Sequence, residues 1–197
     1  IMRSKFILLF TIIYSSLFCK ELELGSNLPF GDHRLLDISG KYLSLNNVKG
    51  ENGLLVIFSC NTCPWVIRWE DRYVSLAKKY VPMGIGVIAV NSNESNFQSV
   101  DNLEEMRKHA EYKQYNFPYV QDFGSRLARI FGATRTPHIY LFDDKDNLVY
   151  RGAIDDNPKD ADDVDESYLK NAMDAMLSGK SIKVASTKAI GCGIKFK

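Results

Sequence analysis

The sequence predicts an α/β fold with a central mixed sheet, and three observations predict it. Continuous apolar runs at Leu54 to Ser59 and Gly86 to Val90 read as buried strands. Segments with apolar residues at helical spacing follow them, the clearest being Trp65 to Tyr80. Further on, His138 to Phe142 and Leu148 to Arg151 flank Asp143-Asp144-Lys145-Asp146-Asn147, a run of turn-forming residues that marks a hairpin.

Each element has its own local reason. Between residues 20 and 53 short apolar pieces are broken by Gly25, Pro29, Gly31, Gly40, Gly50 and Gly53, which predicts an N-terminal β extension of short strands and turns. In the helix after the first buried strand, Val66, Trp69, Tyr73, Leu76, Ala77 and Tyr80 share one face, with Arg68, Asp71, Arg72, Lys78 and Lys79 elsewhere. Pro82 and Gly84 end it. Asn91 to Val100 reads as a polar loop, Leu103 to Tyr115 as a helix, and Pro118 to Val120 as a short strand. Arg126 to Phe131 reads as a short helix stopped by Gly132, and Tyr168 to Leu177 as a final amphipathic helix closed by Gly179. The order β-α-β-α-β-α-β-β-α has no internal repeat and no low-complexity linker, so residues 20–197 are expected to form one domain.

Composition narrows the function classes. A chain of 197 residues can bury a core without help. Its net charge of +1 gives no electrostatic footprint for nucleic acid, and an aromatic share of 12% does not fit a disordered chain. Four cysteines are too few to staple a scaffold of this length. At the N-terminus, Arg3 and Lys5 precede the apolar run Phe6 to Phe18, which is the pattern of an export signal over residues 1–19. The run is short for a transmembrane helix, which needs roughly 20 apolar residues. An uncleaved N-terminal anchor is the alternative. Ser16-Leu17-Phe18-Cys19 also resembles a lipoprotein cleavage box, in which Cys19 would carry the lipid. Either processing route predicts a mature protein in the periplasm, free or membrane-tethered.

The chemistry points to Cys60-Asn61-Thr62-Cys63-Pro64. This run leaves a buried strand and opens a helix. Two thiols at this spacing can close a disulfide with little backbone movement, and a helix N-terminus favours thiolate over thiol. The pattern predicts thiol–disulfide exchange. Cys60 is expected at an exposed helix mouth as the attacking thiol, with Cys63 one turn in as the resolving thiol. A zinc site would need two further ligands, and Cys192, His33, His109 and His138 include no second pair. Trp65 either forms an apolar lip for substrate or packs on Trp69. The acidic run Asp155, Asp156, Asp160, Asp162, Asp163, Asp165 and Glu166 lacks calcium-loop spacing and reads as a solvated loop feeding charge into the last helix.

Six ordered motifs carry a resemblance across nearly all of residues 20–197: Phe58 to Pro64, Ala89 to Asn93, Phe117 to Tyr119, Thr136-Pro137, Tyr150 to Asp156, and Ile190 to Lys195. The chain resembles thioredoxin-fold redoxins, closest to a peroxiredoxin-like (alkyl hydroperoxide reductase/thiol-specific antioxidant) family. The resemblance implies a three-layer α/β/α sandwich. It also implies a cis Pro137 opposite the cysteines, exposing the Thr136 backbone as an edge for an extended substrate. Arg135 and His138 flank that proline and are candidates for tuning the thiols. Cys192, between Gly191 and Gly193, is either an accessory redox thiol or a free one.

The leading functional expectation is an extracytoplasmic thiol–disulfide oxidoreductase with no metal or organic cofactor. Its partners would be a protein or small-molecule disulfide and a redox partner protein. The alternatives are a thiol peroxidase, with peroxide as substrate, and a dithiol carrier of copper(I). Peroxiredoxins use Thr-x-x-Cys-Pro with an arginine near the proline. Here Cys60 stands in place of the threonine, and Arg135 lies two residues before Pro137.

Overall fold

The computed structural model describes residues 20–197, so the expected signal segment and Cys19 lie outside the described residues. A seven-stranded mixed sheet lies at the centre. It contains β1 (Leu35–Asp37), β2 (Tyr42–Leu43), β3 (Gly53–Ser59), β4 (Ile85–Asn91), β5 (Tyr119–Gln121), β7 (His138–Phe142) and β8 (Leu148–Gly152), while β6 (Arg135–Thr136) and β9 (Cys192–Gly193) form a separate ribbon. The helices are α1 (Leu45–Val48), α2 (Pro64–Tyr80), α3 (Leu103–Tyr112), α4 (Arg126–Phe131) and α5 (Tyr168–Leu177). The sheet order is β2-β1-β5-β4-β3-β7-β8. Strand β3 is parallel to β4, from Gly53 opposite Ile85 to Ser59 opposite Asn91, and antiparallel to β7, from Leu54 opposite Phe142 to Phe58 opposite His138.

Every residue of β3 and β4 is buried, because helices cover both faces of the sheet. Side chains alternate across it. Leu55, Ile57, Ile139 and Leu141 pack with α2, α3 and α5, whereas Leu54, Val56, Phe58, Tyr140 and Phe142 pack with Leu45 of α1 and Leu127, Ala128 and Phe131 of α4. This is the three-layer α/β/α sandwich that the resemblance implied.

Helix α2 is the main support of one layer. Its inward face is Val66, Trp69, Tyr73, Ala77 and Tyr80, and it also buries Glu70 completely. That carboxylate is compensated by His109 Nε2 at 2.6 Å and Lys113 Nζ at 3.0 Å, and it accepts from the Tyr115 hydroxyl at 3.3 Å. A buried charge without such partners would be strongly destabilising.

Some expectations needed correction. The helix that starts at Leu103 ends at Tyr112, short of Tyr115, because Gln114 adopts φ 55° and the chain closes through Tyr115 N–H to Ala110 O. Helix α1 and strand β9 were not foreseen, being too short to show a periodicity. Helix α1 is instead specified by a capping box, in which Ser44 and Asn47 each bond the other's backbone N–H. The acidic run is not wholly solvated. Asp155 is buried, pairs with Arg72 and accepts from Trp69 Nε1 at 2.8 Å, while the first turn of α5 carries no acidic residue.

Candidate active site

Strand β3 ends at Ser59, and the chain then turns through Cys60-Asn61-Thr62 into α2. Cys63 is the N-cap of that helix, in an extended conformation, and Pro64 follows at its first position. Proline suits that position because its missing N–H would have had no intrahelical partner.

The turn is fixed from below by a buried polar hub that sequence reasoning registered only as part of a polar loop. Asp101 is fully buried. Its carboxylate accepts from Asn61 N–H (3.0 Å), Asn91 Nδ2 (2.8 Å), Asn93 Nδ2 (3.2 Å) and Asn96 Nδ2 (3.1 Å). Asn61 is held twice more, by its Nδ2 donating to Val100 O at 2.7 Å and by the Tyr119 hydroxyl donating to its Oδ1 at 2.9 Å. The available signal was the cluster of amide side chains directly after a buried strand, Asn91-Ser92-Asn93. Side chains of that kind leave the strand end only where something buried accepts from them.

Cys60, Cys63 and Cys192 are free thiols. Cys60 does not lie at an exposed helix mouth: it is 2% exposed and Cys63 4%, while Cys192 is half-buried. The Thr136–Pro137 peptide is cis, as the resemblance implied, and it brings Thr136 against both sulfurs. Cys63 Sγ lies 3.0 Å from Thr136 O, and Cys60 Sγ lies 3.4 Å from Thr136 Oγ1.

The two sulfurs differ sharply in their electrostatics. A hydrogen bond from the Cys60 thiol leads the pull on Cys63. Burial opposes it, but the Cys192 thiol and the backbone N–H groups of Val66 and Cys192 add to it, and the Cys63 thiol is brought down to about 4. The carbonyl of Thr136 favours the protonated form, but it stands alone against those donors. Cys60 is pushed up by donating to Cys63, by burial and by the nearby Asp101 charge. Cys192 is pushed up to about 11, first by burial and then by its bond to Cys63.

The flanking candidates separate. Thr136 is buried at the sulfurs, but its free edge is not open: β6 pairs antiparallel with β9, Thr136 opposite Cys192 and Arg135 opposite Gly193. Arg135 is exposed, its Nη1 reaches Gly191 O at 3.5 Å, and its charge is among the causes that favour the Cys192 thiolate. His138, by contrast, is not a tuning group for the thiols. It shares the face of β7 with Tyr140, its ring 4.6 Å from that ring, and this is the face opposite the cysteines. Trp65 is half-buried, 6.2 Å from Trp69, with the Arg68 guanidinium 5.4 Å from its ring, which is the packing alternative for this residue. Among the described residues no cluster of three His, Cys, Asp or Glu side chains is placed to hold a metal ion.

His138 yields a stability prediction instead. Burial, with the Arg151 charge second, depresses it to about 3 from an ordinary 6.5. The unfolded chain therefore binds a proton between those values that the folded chain does not. The resulting stability is complete above the ordinary value and is lost as pH falls toward the folded one, by about 1.4 kcal/mol per pH unit. Urea unfolding at pH 7 and pH 4.5 is expected to show a smaller acid loss in His138→Gln than in the wild type. An equal loss in both proteins would contradict this account.

Comparison with known proteins agrees with this fold. A comparison with curated protein sequences finds no match. A hypothetical protein from Sinorhizobium meliloti 1021 is 32% identical, covering 90% of this chain and 97% of its own, with a TM-score of 0.82. An uncharacterized conserved protein from Geobacillus kaustophilus is 34% identical, covering 89% and 93%, with a TM-score of 0.82. The peroxidoxin BcpB from Mycobacterium tuberculosis, 16% identical over 80% of this chain and 96% of its own, has a TM-score of 0.55 and shares the fold. That fold is thioredoxin-like. The Redoxin family model matches residues 23–169, a span that takes in the Cys60–Cys63 turn, the cis proline and the whole central sheet, so the chain belongs to the Redoxin family and, with it, to the oxidoreductases.

Proposed function

We propose that this chain is a thiol–disulfide oxidoreductase acting through Cys60 and Cys63, with Cys63 as the attacking sulfur. The observation that carries the proposal is the placement of Cys63 as the N-cap of α2, its Sγ 3.0 Å from Thr136 O beside the cis proline, where hydrogen bonding led by the Cys60 thiol lowers its pKa. This reverses the order expected from sequence, because hydrogen bonding rather than position decides which sulfur holds the negative charge.

The Cys63 thiolate attacks one sulfur of a substrate disulfide, and the other substrate sulfur leaves as a thiolate. Cys60 then gives up its proton and attacks Cys63. The Cys60–Cys63 bond forms and the second substrate sulfur is released. The substrate has gained two electrons and the pair has lost them. The same steps in reverse oxidise a substrate dithiol, and the pair's reduction potential against its redox partner sets the direction. Neither direction requires a metal or an organic cofactor. The substrates are protein or small-molecule disulfides, and a redox partner protein resets the pair. The basic and apolar pattern of Arg3, Lys5 and Phe6 to Phe18 supports a periplasmic location, with a membrane tether through the N-terminus or a lipidated Cys19. Among the described residues no helix is long and apolar enough to cross a membrane.

Trapping tests the assignment. A chain carrying both Cys60→Ser and Cys192→Ser should hold disulfide substrates covalently on Cys63. Partners captured only on Cys60, in a Cys63→Ser chain, would restore the opposite order.

The peroxidase reading draws on the low-lying Cys63 thiol followed by Pro64 and on the fold shared with a peroxidoxin. The site opposes fast peroxide chemistry, which needs donors aimed at the peroxide oxygens. Cys60 occupies the threonine position, and Arg135 points to the tail. Stopped-flow mixing with hydrogen peroxide should therefore oxidise the reduced chain no faster than a free low-molecular-weight thiol. A rate far above that would promote the peroxidase reading.

A further inference from the structure

The tail from Gly191 onward is docked over the thiols by its backbone. Beyond the pairing of β9 with β6, Ile194 N–H donates to Thr134 O at 3.0 Å, Lys195 N–H to Asn93 Oδ1 at 2.9 Å, and Ser95 N–H to Lys195 O at 3.1 Å. Ile194 is buried, and the Arg129 guanidinium lies 4.6 Å from the Phe196 ring. Gly191 makes the close approach possible. A Cβ there would stand 2.2 Å from Thr136 O, whereas one at Gly193 would meet nothing within 4 Å. The tail therefore lies along the backbone edge expected to take an extended substrate, and it sets Cys192 opposite Thr136, whose carbonyl is 3.0 Å from Cys63 Sγ, and packs it against the cluster that holds Cys60 and Cys63. The attacking pair is enclosed, and the third thiol is the one that reaches solvent.

We propose that Cys192 is a built-in shuttle thiol, and that a Cys63–Cys192 disulfide gives the enclosed pair a second route, beside direct attack by Cys63, for exchanging electrons with substrates in solution. The proposal rests on the dithiol reading of Cys60 and Cys63. In the oxidised chain, the Cys192 thiolate attacks Cys63. The Cys63–Cys192 bond forms, the Cys60–Cys63 bond breaks, and Cys60 leaves as a thiolate that takes up a proton. This step is an exchange with no net oxidation. An external thiolate then attacks Cys192, forming a mixed disulfide there and returning Cys63 to its thiolate. A second external thiolate cleaves the mixed disulfide and frees Cys192. Two external thiols have become one disulfide, and the pair has been reduced. Run backwards, the same steps reduce an external disulfide. The substrate class that fits is a small disulfide, or an accessible one on a protein, that meets Cys192 at the surface without displacing the tail.

Oxidised glutathione is the probe. The full chain is treated with it, quenched in acid, alkylated and mapped by mass spectrometry without reduction. The wild type should yield the Cys60–Cys63 bond. Cys60→Ser should yield a Cys63–Cys192 bond with both glutathione halves released. If the wild type forms Cys60–Cys63 while Cys60→Ser keeps glutathione on Cys63 or Cys192, the shuttle is overturned and the dithiol reading stands. If the wild type forms no Cys60–Cys63 bond, both are overturned. A second measurement does not depend on Cys60→Ser folding. Reduction of the oxidised pair by reduced glutathione should slow at least about tenfold in Cys192→Ser, which loses a tethered and oriented thiol. An unchanged or faster rate would mean that the tail merely covers the site, and would overturn the proposal.

Discussion

Replacing Cys63 with Ser is expected to lower disulfide turnover by at least about 10^3-fold, the scale on which losing a covalent nucleophile acts. Serine keeps the approximate size of the side chain but removes the thiolate favoured by Cys60, Cys192, Val66 N–H and Cys192 N–H. The pH profile separates this role from a structural one. An ordinary cysteine reacts faster by about tenfold per pH unit up to its pKa near 8.5. With Cys63 held at about 4, its site-resolved reaction with iodoacetamide should be nearly flat above that pH and should fall below it. Cys60, pushed upward, should remain unreactive across the same range. A flat profile on Cys60 and a rising one on Cys63 would overturn the assignment.

Asp101→Ala is expected to destabilise the fold by about 3 kcal/mol or more, the cost of leaving several buried donors unpaired. The carboxylate accepts from Asn61 N–H and from the side-chain amides of Asn91, Asn93 and Asn96, and its removal strands all of them. Asp101→Asn keeps one acceptor oxygen and the shape, so its loss should be smaller. The effect should also reach the chemistry. Asn61 sits between the two cysteines, and the Asp101 charge is among the causes that hold Cys60 protonated. Equilibrium urea unfolding measures the first effect and the Cys60 alkylation profile the second. A variant within about 0.5 kcal/mol of the wild type, the range of ordinary surface substitutions, would show that Asp101 is not the anchor of the turn.

Much of the fold was legible because the signals were local. The continuous apolar runs became β3 and β4 within a residue or two at each end, and Arg126 to Phe131, His138 to Phe142 and Tyr168 to Leu177 have the bounds that their patterns and stopping residues indicated. The misses were of another kind. Helix α1 depends on one reciprocal cap, and β9 exists only because β6 is there to pair with it. Asp155 in a run of acids could not be distinguished from its neighbours, since its burial depends on Arg72 and Trp69 from a helix far away in sequence.

By itself the sequence determined that two thiols would stand where a buried strand passes into a helix, because strand and helix periodicities and the Cys63-Pro64 step are properties of neighbouring residues. Only the tertiary structure decided which sulfur is stabilised as an anion and what it faces. Those depend on groups brought together from distant parts of the chain: the Thr136 carbonyl across the cis proline, the Asp101 carboxylate beneath the turn, and Cys192 on a tail seated by backbone pairing. Hydrogen bonds and Coulomb terms act over a few ångströms of space, whatever the separation along the chain.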